Sequence, residues 1–146
     1  MSIQAFLMLA HLIGLAWALG AASVKVALLL RCQRDRSFIQ AYLEIVGSVT
    51  RQLVAGLVLL TLSGIGWLLL GYPLTRTLVV KLVLVAAVWV MGPVIDKIAE
   101  PRFRRLAPTA GKAISLEFVR AEKAYVALEA VATGMLYLIV GVWVLL

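Results

Sequence analysis

Four long apolar segments dominate this sequence and limit what it can fold into. They lie at about residues 3–30, 45–70, 77–98 and 124–146, and short polar connections separate them. Crossing about 30 Å of hydrocarbon takes roughly 20 residues at 1.5 Å per residue, and each segment reaches that length. A soluble domain of 146 residues could not bury so much apolar surface, and only 14% of the residues are charged. The sequence therefore predicts an all-α polytopic membrane protein with one domain (residues 1–146), built as a four-transmembrane-helix bundle.

The first segment is expected to stay in the mature protein. No basic residue precedes it, and the apolar run from Ile3 to Val24 exceeds the roughly 7 to 15 residues of a signal-peptide core. Cys32 is the single cysteine, so no intramolecular disulfide can form.

Lysine and arginine are concentrated in two connections. The segment from Lys25 to Arg51 holds five and the segment from Lys97 to Lys123 holds seven, whereas the two ends of the chain hold none. The positive-inside rule places both connections in the cytoplasm, so we expect both termini on the outer side of a bacterial cytoplasmic (inner) membrane. Basic connections beside anionic lipid account for the net charge of +7, so we expect no nucleic-acid partner.

His11 is the single histidine, and it lies about eight residues into the first span. At 100° per residue it shares a face with Lys25 and with four small residues, Gly14, Ala18, Ala21 and Ala22. Small residues let another helix or a flat cofactor approach closely. Two hypotheses follow. His11 is a metal ligand or proton carrier, with an imidazole nitrogen suited to haem iron, copper or zinc, or it is a neutral side chain hydrogen-bonded to a neighbouring helix.

Two further charged side chains fall inside or beside the spans. Lys81 opens the third span, where its ammonium either snorkels to the interface or binds an acidic group such as a porphyrin propionate. Glu129 in the fourth span lies at a depth comparable with that of Lys25, which predicts a Lys25–Glu129 ion pair inside the bundle, with Glu44 as a competitor and a proton relay as the functional alternative.

Three uncharged features complete the set of candidates. Met91 is the methionine best placed to act as a soft axial ligand, and Tyr137 is expected near the depth of His11. Pro93 cannot donate to the carbonyl of Trp89, so the third helix should be distorted there.

The stretch His11-Leu-Ile-Gly-Leu-Ala-Trp17-Ala-Leu-Gly20 resembles the opening helix of the HemJ-type protoporphyrinogen oxidases and of the copper-resistance D family. Leu62-Ser63-Gly64 through Leu78-Val79-Val80-Lys81-Leu82-Val83 is similar to their second and third helices, although Thr77 stands where the group has tryptophan. The resemblance implies haem b, His11 as its iron ligand and Lys81 as the third-helix lysine. It also implies oxidation of protoporphyrinogen IX to protoporphyrin IX, with electrons passed to the respiratory chain.

The leading hypothesis is therefore a membrane haem-binding redox protein, possibly an oxidoreductase, with His11 as axial ligand, Lys81 as propionate partner and Met91 or Tyr137 near the iron. One histidine cannot supply two imidazole ligands, so a homodimer or another sixth ligand is expected. Two alternatives stay open. One is a copper-handling or transport protein that uses His11 with methionines, and the other is a non-catalytic accessory subunit of a larger membrane complex in which His11 is structural.

Overall fold

The structure, a computed structural model, describes residues 2–108 and 113–145 and contains no β-strand within those ranges. Its helices in chain order are α1 (Ile3–Arg34), α2 (Ile39–Leu69), α3 (Arg76–Val94), α4 (Glu100–Leu106) and α5 (Leu116–Leu145). A 3₁₀ turn, Arg36–Phe38, precedes α2, and a π-helical turn, Ile95–Ala99, joins α3 to α4. The predicted all-α class is confirmed.

Four helical stretches are long and apolar enough to cross a membrane, as the sequence predicted. They are Ile3–Arg34, Arg36–Leu69, Arg76–Leu106 and Leu116–Val142. The fourth predicted span ends at residue 146, which lies outside the described residues. The amide of Gln40 donates to the carbonyl oxygen of Pro108 at 3.1 Å, so the two basic connections meet at one end of the bundle. We call this the basic end, and the end that holds Ser2 and the turn at Gly71 the terminal end.

Local signals set where the helices begin and end. The hydroxyl of Ser2 accepts from the Ala5 N–H, and that of Thr75 accepts from the Leu78 N–H, so both are N-caps. Gly71 takes φ +84° after α2, a conformation that side-chain-bearing residues rarely adopt. Between α1 and α2, hydrogen bonds from the side chain and backbone of Ser37 hold the pKa of Asp35 below its usual value.

The third long helix continues further than the sequence predicted. The predicted third span ended near residue 98, but the chain stays helical to Leu106. In the π-helical turn the Glu100 N–H donates to the carbonyl of Ile95, five residues back, which restarts the hydrogen-bond ladder. Pro101 then falls in the first turn of α4, where its missing N–H costs little. Pro93 itself lies inside α3, and the π-helical turn begins two residues after it.

Helices α1 and α2 form the closest interface of the bundle. A Cβ atom on Gly56 would lie 2.5 Å from the backbone nitrogen of Ala18, and one on Gly14 would lie 2.9 Å from the carbonyl oxygen of Gly56. Gly14 and Ala18, two members of the small-residue face predicted for α1, therefore pack closely against α2.

Helix α5 packs against both α1 and α3, whereas α2 and α3 scarcely approach each other in the described part of the chain. The two helices follow each other in the chain and are joined by the short connection after Leu69. A side-chain hydrogen bond links them, in which the indole N–H of Trp89 donates to the hydroxyl of Thr61 at 3.0 Å. A cavity lined by residues of α1, α2, α3 and α5 lies beside this contact.

A compact aromatic core lies at the basic end. The ring of Phe103 lies 5.3 Å from Phe118, 5.3 Å from Tyr125 and 5.9 Å from Tyr42, and all four side chains are buried. The 34-residue stretch Arg36–Leu69 is about 50 Å long at 1.5 Å per residue, about 20 Å more than the hydrocarbon core needs. The aromatic core packs against the part of this stretch that lies at the basic end, which includes Tyr42.

Candidate functional site

His11 is held from α2 by a hydrogen bond to Ser63. Its Nδ1 lies 2.9 Å from Ser63 Oγ, and that hydroxyl lies 3.0 Å from the carbonyl oxygen of Leu60. When the hydroxyl donates to that carbonyl, the imidazole donates from Nδ1 and keeps the lone pair on Nε2. The bond to a neighbouring helix is the one the structural hypothesis predicted, and it also gives Nε2 the form that a metal ligand needs.

Lys81 lies close enough to His11 for the two side chains to interact electrostatically. It stands in the second turn of α3, and its side chain is partly buried. Both residues lie toward the terminal end, His11 in the third turn of α1 and Lys81 in the second turn of α3. We call His11, Ser63 and Lys81 the His11 site.

Met91 does not reach the His11 site. Val88 belongs to one buried cluster with Ala18 and Ala22, and Ala18 lies about 10 Å from His11 along α1 at 1.5 Å per residue. Met91 is almost one turn further toward the basic end, which places it about 15 Å from the level of His11. That separation is too large for the two side chains to ligate one iron ion within a subunit.

Tyr137 lies at a different level as well. Its hydroxyl is 2.8 Å from that of Ser23, which itself donates to the Leu19 carbonyl at 2.7 Å, so Tyr137 is the donor. Ser23 is about 18 Å from His11 along α1. The hydrogen bond of Tyr137 therefore joins α5 to α1 rather than to the imidazole.

The predicted ion pair between Lys25 and Glu129 is confirmed. The ammonium lies 2.6 Å from the carboxylate, and the side chains are 2% and 3% exposed. Two acids that the sequence analysis missed complete what we call the charge cluster. Asp96 lies 3.7 Å and Glu100 3.5 Å from the same ammonium. Glu44, the expected competitor, is exposed.

Tyrosines connect the charge cluster to the aromatic core. The hydroxyl of Tyr125 donates to Glu100 at 3.1 Å and lies 2.8 Å from the hydroxyl of Tyr42. Arg104, one helical turn beyond Glu100, lies 3.5 Å from the other oxygen of that carboxylate. The acids, the lysine and the tyrosines thus form one hydrogen-bonded network that joins four of the five helices.

Asp96 fell at the end of the predicted third span, and Glu100 escaped prediction because the chain beyond residue 98 was interpreted as a connection rather than a helix. Their spacing of four residues places them on one helix face, which is the signal that could have found them once the helix was known to continue. Lys25 is the ion-pair partner of Glu129 in the prediction and in the structure. In the structure its three carboxylate partners come from two different helical stretches.

The cavity between α2 and α3 has a volume of about 250 Å³ and ends at the charge cluster. Lys25, Asp96 and Glu129 line one end, and apolar side chains line most of the rest. Within the described residues, no group of three or more His, Cys, Asp or Glu side chains converges as around a protein-bound metal ion.

Comparisons of the chain with protein-family models, curated proteins and solved structures find no match. The function is therefore inferred from the His11 site, the charge cluster and the cavity.

Proposed function

We propose that this chain is a multi-pass protein of a bacterial cytoplasmic membrane, with the basic end in the cytoplasm and both termini outside. Four long apolar helices support insertion in the bilayer. The meeting of both basic connections at one end supports the orientation, because cytoplasmic loops carry the excess of lysine and arginine. The lipid bilayer is then the principal partner.

Within that membrane we propose a haem-binding redox protein that uses Nε2 of His11 as an iron ligand. The observation that carries this proposal is the hydrogen bond between His11 Nδ1 and Ser63, which holds the ring and, with Nδ1 as the donor, leaves the lone pair on Nε2. Metal-ligating histidines generally have their second nitrogen held in this way. A lone protein ligand suits haem better than copper or zinc, because the porphyrin itself supplies four nitrogen ligands to the iron.

The space for a haem has to lie on the α3 side of His11. The α1–α2 interface is closed at Gly14 and Gly56, whereas α3 has no close-packed interface with α1 or α2 in the described residues. Lys81 stands on that side and has the charge that a propionate requires. Because Met91 is too distant, a sixth ligand would come from His11 of a second subunit or from a small molecule. Oxidation of protoporphyrinogen IX is the enzymatic form of this proposal, and it is supported by the resemblance alone.

Absorption spectroscopy of the purified protein in detergent, before and after haem is added, tests this proposal. We expect a Soret band that shifts on reduction and that is lost in His11→Ala. Met91→Leu is the matched control, and it should keep the band because Met91 lies far from the His11 site. A colourless wild-type protein, or a band unchanged in His11→Ala, contradicts haem ligation by His11.

The same preparations separate the alternatives. Bound copper that is lost in His11→Ala would replace haem binding by copper handling. Protein that binds neither cofactor and purifies with a larger membrane complex would make the chain an accessory subunit with a structural His11.

A further inference from the structure

The cavity between α2 and α3 is bordered by side chains that are partly exposed on the outside of the bundle. Val54 on α2 is 39% exposed and Trp89 on α3 is 37% exposed, and both line the cavity. These two helices do not pack closely against each other in the described part of the chain. The cavity therefore opens sideways, toward the surface that faces lipid if the helices span a bilayer, and a ligand dissolved in lipid has a direct route into it.

Most of the cavity wall is apolar, with Leu53, Leu57, Val88 and Leu136 among the lining side chains. Its volume of about 250 Å³ corresponds to roughly eight water molecules at about 30 Å³ each. That is room for one substituted ring, and it is too small for a porphyrin. The indole of Trp89 adds a flat wall against which a ring can stack.

Two hydroxyl groups in this apolar wall have no hydrogen-bond partner among the described residues. Thr133 on α5 is 8% exposed, and its Oγ1 is buried and unpaired. Thr50 on α2 likewise has a buried, unpaired Oγ1. Both residues line the cavity, and buried hydroxyls are usually satisfied by a protein group, a water molecule or a ligand. An alkyl chain would leave both unsatisfied.

The charged side chains that line the cavity balance one another. Lys25 and Lys97 carry two positive charges, and Asp96 and Glu129 carry two negative charges. Lys25 and Glu129 already neutralise each other at 2.6 Å. A ligand with a net charge would have to disturb this pairing, whereas a neutral ligand would not.

We propose that this cavity binds a neutral, lipid-soluble ring compound with hydrogen-bonding oxygens, of the quinone or hydroquinone class. The ring lies against Trp89, and its oxygens reach the hydroxyls of Thr50 and Thr133. This site is separate from the His11 site, and it does not depend on haem.

Tryptophan fluorescence of the full chain in lipid nanodiscs tests the proposal. In a background where Trp17, Trp67 and Trp143 are replaced by phenylalanine, Trp89 is the single reporter. The probe is a decyl-substituted dimethoxy-methyl-benzoquinone, which quenches indole fluorescence on contact. We expect saturable quenching that a decyl hydroquinone relieves in competition and that persists when His11→Ala is added.

Two pairs of variants locate the binding. The double variant Thr50→Val/Thr133→Val should weaken the apparent affinity roughly tenfold, because two hydrogen bonds are lost at nearly constant volume. Thr77→Val, outside the cavity, should leave it unchanged. Ala132→Phe fills the cavity and should abolish saturable quenching, whereas Ala130→Phe, on the exposed side of α5, should not.

Three results would overturn the assignment. Quenching that rises linearly and equally in wild type and Ala132→Phe means that the probe acts from the lipid. An affinity unchanged in the double threonine variant removes the hydroxyls from the site. Equal competition by dodecane shows that the cavity takes acyl chains without regard to oxygen atoms. Circular dichroism and gel filtration of each variant show that it is folded before binding is measured.

Discussion

The ammonium group of Lys25 and the carboxylate of Glu129 lie 2.6 Å apart, and each side chain is almost completely buried. One comes from α1 and the other from α5, so the contact joins the first and last helices of the chain. Breaking a buried pair by removing one partner costs about 3–5 kcal/mol, whereas removing both costs less.

We therefore predict that Lys25→Met lowers the free energy of unfolding by about 3 kcal/mol, because three carboxylates lose their shared cation. The double variant Lys25→Met/Glu129→Leu should lose less than the sum of the two single losses. Thermal unfolding in one detergent measures all three, with Lys123→Met as the control for an exposed lysine. Strictly additive losses would show that the two groups do not interact.

The α1–α2 interface should not tolerate a single methyl group. Gly56→Ala places a Cβ atom 2.5 Å from the backbone nitrogen of Ala18, and backbone atoms cannot move aside cheaply. We expect a loss of about 1–3 kcal/mol of stability. Gly64→Ala on the same helix has open space around its Cβ position and should be neutral or stabilising by up to about 1 kcal/mol. Equal unfolding temperatures for the two variants would contradict this close packing.

The aromatic core at the basic end should be a distinct source of stability. Phe103→Ala removes a buried ring that contacts Tyr42, Phe118 and Tyr125. We expect a loss of about 3–5 kcal/mol and faster proteolysis within the α4–α5 connection. The control is Phe6→Ala, since that ring is exposed on α1 and its loss should change stability by less than about 1 kcal/mol. A stable, protease-resistant Phe103→Ala variant would show that the core contributes little.

Cysteine labelling tests the proposed orientation. In a Cys32→Ala background, Leu74→Cys introduces an exposed thiol at the terminal end and Glu117→Cys introduces one at the basic end. A maleimide that does not cross membranes should label the first in intact cells and the second only after the cells are opened. The reverse pattern would place the basic end outside.

Much of the architecture could be predicted because it depends on local sequence. An apolar run of at least about 20 residues identifies a span whatever its neighbours are, and the basic connections identify one end of the bundle. The Lys25–Glu129 pair could be predicted for a related reason. Few charged residues lie within the spans, and a buried charge needs a partner of opposite sign, so two opposite charges at equal depth are expected to pair.

The candidate site was less predictable because helix rotation and axial level are set by packing. The His11 site stays a prediction, whereas Tyr137 bonds to Ser23 and Met91 lies nearer the basic end. A difference of one helical turn in register moves a side chain by about 5 Å, and the hydropathy of an apolar helix is nearly the same at every register.

The sequence by itself determined the number of long helices, their apolar character and the gathering of positive charge, since each depends on residue type and run length. Tertiary structure decided that α1 and α2 close at Gly14 and Gly56, that α2 and α3 stay apart, and that Asp96 and Glu100 join Lys25. These outcomes depend on which small residues face each other and on a π-helical turn that carries the third helix past Pro101. The length of an apolar segment does not determine which residues of two helices contact each other, because such contacts form between helices rather than along one helix.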